Sequence, residues 1–155
     1  MRRRLVLAST GSIVLTSLSG CLSSVRGFFR DDEIDGHESG EIEVVVEGES
    51  IDFTADRFQA ENAEDSSVYF HFHEGHEPWF MERKRVTFAE AIDLLPHFAY
   101  ENADGNHVVT FDGTTYDERD GGTTIRFEIN GEAVDPTERK LYDGDELFLE
   151  IATED

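Results

Sequence analysis

Val68 to Trp79 reads V-Y-F-H-F-H-E-G-H-E-P-W and holds three of the six histidines together with the single tryptophan. His71 and His73 stand two apart, so on a strand both imidazoles leave the same face. Glu74-Gly75 then offers a turn that would bring His76 and Glu77 back toward that face. Imidazole is a ready ligand for zinc, copper, nickel or iron, and a third ring from His76 or a carboxylate from Glu74 or Glu77 would complete a set. The competing reading is a sheet face of hydrogen-bonded histidines packed against Trp79 and Phe80. Just beyond lies Glu82-Arg83-Lys84-Arg85. With Trp79, the cations Arg83, Lys84 and Arg85 make a candidate surface for an anionic ligand or acidic partner; their plainer role is to neutralise neighbouring carboxylates.

Several elements must position these groups. Val68, Phe70 and Phe72 alternate with Tyr69, His71 and His73, which predicts a central strand with one core face. Ile42, Val44 and Val46 alternate with Glu41, Glu43 and Glu47, and the chain returns after Gly48-Glu49 through Ile51 and Phe53, a hairpin with a carboxylate outer face. Thr87-Phe88-Ala89-Glu90 is a capping box, and Phe88, Ala91, Ile92 and Leu95 recur at helical spacing, so a helix is predicted over 87–95, ended by Pro96. His97 and His107 flank the loop after it. Asp112-Gly113 and Asn130-Gly131 each sit between alternating runs and predict two more hairpins. Glu146 to Ile151 is the closing strand. The expected fold is α+β, a mostly antiparallel sheet with one principal helix, in a single domain over 41–152.

Ile42–Phe58 and Ile125–Leu141 align without gaps, 83 residues apart. Gly48-Glu49 matches Gly131-Glu132, Ile51-Asp52 matches Val134-Asp135, Thr54 matches Thr137 and Phe58 matches Leu141. A duplicated hairpin-strand unit accounts for this, with Val68–His73 and Glu146–Ile151 as its two third strands. The shared backbone is a glycine at a turn position of positive φ, then an Asp and a Thr bonding their own backbone.

Asn130-Gly131 followed by Tyr142-Asp143-Gly144-Asp145-Glu146-Leu147 resembles the end of β-grasp domains, in which a hairpin leads to a D-G-D turn into the last strand. That resemblance implies a β-grasp-like fold. The sulfur-carrier branch of that fold ends in Gly-Gly, whereas this chain ends Ala152-Thr153-Glu154-Asp155, so the resemblance does not extend to that activity. His71-x-His73-x-x-x-Glu77 resembles the H-x-H-x-x-x-E core of the first cupin motif, and implies as an alternative a cupin-like metalloenzyme using His71, His73 and Glu77. Asp65 and Lys84 stand where that motif has glycines. No nucleotide loop, nucleophile elbow or H-E-x-x-H motif is present, so a binding module for a metal, small ligand or partner protein is expected rather than an enzyme.

With 35 acidic against 13 basic residues the formal charge is −22, which disfavours nucleic acid as a partner. Twelve phenylalanines and four tyrosines still supply a core. An acidic coat spread along the chain resembles the proteins of salt-loving archaea, where molar salt screens self-repulsion. Arg2-Arg3-Arg4-Leu5-Val6 resembles a twin-arginine export signal, with Arg2 and Arg3 as its pair, and Leu18-Ser19-Gly20-Cys21 resembles a lipobox. The apolar run between them is shorter than the about 20 residues a spanning helix needs. These resemblances imply a signal peptide over 1–20, lipid on Cys21, a flexible tether over 21–40 and a place on the cell surface, at the outer face of the cytoplasmic membrane. Cys21 is the only cysteine, so no disulfide forms within the chain.

Overall fold

The structure, a computed structural model, describes residues 32–154. The expected export signal with Arg2 and Arg3, the lipidation site Cys21 and the tether up to residue 31 lie outside the described residues.

In chain order the elements are β1 Glu33–Val46, β2 Glu49–Ser50, β3 Trp79–Lys84, α1 Phe88–Leu94, β4 Phe98–Ala103, β5 Asn106–Phe111, β6 Thr114–Asp117, β7 Thr123–Ile129, β8 Glu132–Ala133 and β9 Glu146–Thr153. The fold is α+β, mostly sheet with one short helix. One sheet runs β2-β1-β9-β7-β8 with β3 joined to β1, and a second runs β4-β5-β6. β1 and β9 are parallel over Glu41–Val46 and Glu146–Ile151, whereas β9 and β7 are antiparallel. Strand β1 begins ahead of the domain boundary expected at Glu41. Its first half, over Glu33 to Gly40, pairs with β3 rather than serving as a tether.

Alternation explains the main layer. Val44 and Val46, Ile125, Phe127 and Ile129, and Leu147, Leu149 and Ile151 are the buried positions of β1, β7 and β9. The helix forms as its capping box requires: Thr87 accepts from the Glu90 backbone N–H, and the Glu90 side chain accepts from that of Thr87. Phe88, Ala91, Ile92 and Leu95 turn into the core, and Phe88 meets Phe127 edge-on with ring centroids 5.0 Å apart.

The repeat is visible in the backbone. Val46 faces Glu49 and Val45 faces Ser50, while Ile129 faces Glu132 and Glu128 faces Ala133, the same register 83 residues on. Both turns take two positive φ values, Glu47 (53°) with Gly48 (81°) and Asn130 (54°) with Gly131 (81°), as a two-residue primed turn demands. Asp52 Oδ1 then accepts from the Thr54 backbone N–H and hydroxyl, at 2.9 and 2.5 Å, and Asp135 does the same for Thr137, at 2.9 and 2.6 Å. Phe58 and Leu141 close the two copies in the core.

The third strand does not recur. Val68–His73 is no central strand: it is held by single bridges to three different neighbours, Ser67 with Phe70, His71 with Phe80 and Gln59 with Phe72. Its chain is stapled on one side by His71 N–H to Phe80 O at 2.9 Å and Phe80 N–H to His71 O at 2.8 Å. On the other side Ala60 N–H donates to Phe72 O at 2.7 Å. Alternation fails with it. Phe70 and Phe72 are buried as expected, but Val68 is 42% exposed and His71, on the face expected to be open, is 3% exposed.

Candidate functional site

The loop that precedes Phe70 carries Glu61, and β3 carries Glu82; between them stand the two imidazoles. His71 Nε2 and His73 Nε2 face each other at 2.9 Å, with the rings edge to face at a centroid distance of 4.6 Å. The other nitrogen of His73, Nδ1, lies 2.7 Å from Glu61 Oε1, and the second oxygen of Glu61 accepts the Glu74 backbone N–H at 3.0 Å. Glu82 Oε2 is 3.7 Å from His71 Nε2. The group is an acid–imidazole–imidazole–acid chain.

Its protons follow from these contacts. The hydrogen bond from His73, with those from backbone groups, holds the Glu61 carboxyl down to about 2, so it is ionised and can only accept. His73 Nδ1 therefore carries a hydrogen. A neutral His73 then has its lone pair on Nε2, and the bond between the rings requires the hydrogen of His71 to be on Nε2. This leaves His71 Nδ1 as a buried nitrogen with no hydrogen-bond partner. Burial first, and then the neighbouring His73, push the His71 pKa down, against the opposing pull of Glu82 and of the Ser67 and Val68 backbone.

Ala60, Ala63, Glu64, Ser66, Ser67 and Val68 complete a cleft of about 330 Å³ onto which His71, His73 and Glu82 open. Four imidazoles pack on the Phe80 ring, those of His37 (5.5 Å between centroids), His71 (6.3 Å), His73 (5.1 Å) and His76 (5.8 Å).

The expected ligand set is assembled only in part. His71 and His73 come together, but His76 is exposed and meets Phe80 edge-on, and Glu77 lines a separate cleft with Glu41, Ile42 and Pro78. Among the described residues no group of three or more His, Cys, Asp or Glu side chains stands, as placed, where it could hold a metal ion. His97 and His107 are engaged elsewhere, His97 3.9 Å from Asp112 and His107 Nδ1 2.8 Å from the Tyr100 hydroxyl. Glu61, Glu82 and His37 were not legible as site residues. Glu82 stands nine residues after His73 and reaches it only through the bridge of Phe80 to His71, and a carboxylate in so acidic a chain carries no signal of its own.

The surface expected around Trp79, Arg83, Lys84 and Arg85 is not one patch. Trp79 is fully buried, stacks on Phe70 at 5.3 Å and donates its indole N–H to Glu41 O at 3.1 Å. Arg85 is half-buried and paired with Glu38, its Nε 3.2 Å from Glu38 Oε2, and its guanidinium lies 4.9 Å from the Tyr142 ring centroid. Lys84 lies 4.8 Å over Tyr69. Arg83 is exposed, at a positive φ of 70° beside the bulge where β1 and β3 shift register. Tying a strand edge together is what three of these four side chains do.

The D-G-D turn is structural in the same way. Asp143 Oδ1 accepts the Ser39 backbone N–H at 2.9 Å and Gly144 N–H donates to Ser39 O at 2.8 Å, so the turn docks on β1. Asp145 is buried against Arg139 and Asn130.

Comparison with known protein families, with curated proteins and with solved structures finds no match to this chain.

Proposed function

We propose that the chain is an exported, lipid-anchored binding module held at the outer face of the cytoplasmic membrane, with its ligand site at the His71–His73 cleft. The observation that carries the site is the opposed imidazole pair, buttressed by Glu61 and open to a cleft of about 330 Å³. A few convergent polar groups in a concave site are what a small-ligand pocket needs. The anchor rests on the residues Arg2-Arg3 and Leu18–Cys21, and a dialkyl glyceryl group on Cys21 would supply two chains, enough for stable attachment. No helix among the described residues is long and apolar enough to cross a membrane. The acidic coat suits work in molar salt, where its self-repulsion is screened.

The core is β-grasp-like on this reading. Support comes from the strand order β2-β1-β9-β7-β8, in which the closing strand lies parallel to the first and each neighbour carries a short hairpin partner on its outer side. The strand β3 and the sheet β4-β5-β6 are then elaborations inserted between the two hairpins. A cupin-like enzyme with Glu77 as a ligand has less support, because Glu77 opens onto a different cleft.

Cys21→Ser is expected to shift the chain from the membrane pellet to the soluble fraction while its circular dichroism and melting midpoint stay unchanged. A variant that remains in the pellet after a high-salt wash would refute the lipid anchor.

A further inference from the structure

His71 Nε2 and His73 Nε2 face each other at 2.9 Å beside the cleft, and a cation between them would take the place of the hydrogen they share. Holding the His71 hydrogen on Nε2 satisfies His73 but strands His71 Nδ1, a nitrogen of a side chain 3% exposed, without a partner. With a cation on Nε2, the His71 hydrogen sits on Nδ1 instead. Glu61 meanwhile fixes the His73 hydrogen on Nδ1, which leaves the His73 Nε2 lone pair facing His71 Nε2. A carboxylate behind the far nitrogen is the usual outer support of a metal-binding histidine.

The distances fit. Two imidazole nitrogens at about 2.0–2.1 Å from a tetrahedral zinc lie about 3.3 Å apart. Here they are 2.9 Å apart, and Glu82 Oε2 is 3.7 Å from His71 Nε2. Opening the rings by a few tenths of an ångström and rotating the half-exposed Glu82 carboxylate inward brings three donors around one centre, with the adjoining cleft left for water or a fourth ligand.

We infer that His71 Nε2, His73 Nε2 and a carboxylate oxygen of Glu82 bind one divalent transition-metal ion of the zinc class, with Glu61 positioning His73 from behind. Neither His76 nor Glu77 takes part. The inference deepens the binding-module reading and rests on its placement of the ligand site.

The test is a titration of the full chain carrying Cys21→Ser, which removes the one thiol that could compete, with Co²⁺ in molar KCl. Visible absorption reports coordination, and competition with Zn²⁺ gives the affinity. The expected result is one equivalent of Co²⁺, displaced by Zn²⁺. His73→Ala and Glu82→Gln should each weaken binding at least about 100-fold, and Glu61→Gln about 10- to 100-fold, the usual loss for an outer-shell partner. His76→Ala and Glu77→Gln should leave it within about twofold. Because His71→Ala empties a buried position, the half-exposed His73 decides the matter, with circular dichroism confirming that the variant is folded. No saturable Co²⁺ binding by the folded chain would overturn the inference, as would a loss at His76→Ala or Glu77→Gln matching that at His73→Ala. Release by Cys21→Ser without Co²⁺ binding would sink the metal site alone, and retention in the pellet with Co²⁺ binding intact would sink the anchor alone.

Discussion

Gly40→Ala is expected to destabilise the domain by about 3 kcal/mol or more, lowering the melting midpoint by roughly 10 °C. Gly40 is where β1 changes partners: it pairs with Trp79 of β3, and the next residue, Glu41, pairs with Glu146 of β9. A Cβ at Gly40 would lie 2.2 Å from the Asp145 carbonyl oxygen and 2.7 and 2.9 Å from Cζ2 and Cε2 of the Trp79 indole. The first obstacle is backbone, and Asp145 O already accepts the Glu41 N–H at 3.2 Å, so it cannot swing aside without breaking the junction between the two pairings. Trp79 is fully buried, stacked on Phe70 and tied to the β1 backbone by its indole N–H, so moving it would disturb both contacts. Gly48→Ala is the matched control. No heavy atom lies within 4 Å of its Cβ position, and only the cost of a positive φ, about 1 kcal/mol, is expected there. Equal midpoints for the two variants would remove the close crossing of β1 over Trp79 from the account.

Asp145→Asn is expected to cost about 2 to 4 kcal/mol. The carboxylate, 4% exposed as a residue, accepts from Arg139 at 2.8 and 3.1 Å, from Asn130 Nδ2 at 2.9 Å and from the Tyr142 backbone N–H at 2.8 Å. Removing one charge of a buried pair strands the other, at about 3 to 5 kcal/mol. Here Arg139 is 40% exposed and can rehydrate, which sets the lower figure. The pH dependence carries a sign. Burial pushes the Asp145 carboxyl up, but the hydrogen bonds from Arg139, Tyr142 and Asn130, with the charge of Arg139, outweigh it and leave it below its ordinary 3.8. A depressed carboxyl contributes stability in full above 3.8, and that stability is lost as the pH falls through the folded value. Denaturant midpoints measured downward from pH 5 should therefore fall less steeply for Asp145→Asn than for the natural chain. Parallel acid slopes would show that Asp145 does not anchor the turn.

These two positions also show what is legible in such a sequence. Turns and caps are chemical statements about a few adjacent residues, so Asn130-Gly131, Asp112-Gly113 and the Thr87–Glu90 box describe their local backbone directly. The internal repeat is legible for the same reason, since glycine at a positive φ and an Asp bonding a Thr two residues on are local requirements. Val68–His73 misleads because alternation records which side chains are apolar, not whether a neighbouring strand exists to pair with. Its bridges depend on Gln59 and Phe80, which come from a loop and another strand. Trp79 and Gly40 are separated by 38 intervening residues, and nothing in either neighbourhood announces that one needs the other. The candidate site divides along the same line. His71 and His73 share a segment and were visible as a pair, whereas Glu61 and Glu82 join them only through the fold.

The most direct measurement is the zinc content of the full chain after equilibration with Zn²⁺ in molar salt and exhaustive desalting, for the natural sequence and for His73→Ala/Glu82→Gln. Both substituted positions are half-exposed, so the fold is expected to survive. One zinc per natural chain, absent from the folded double variant, is the predicted result. Equal zinc in the two proteins, or none in either, would contradict the assignment of the His71–His73 cleft as a metal-binding site.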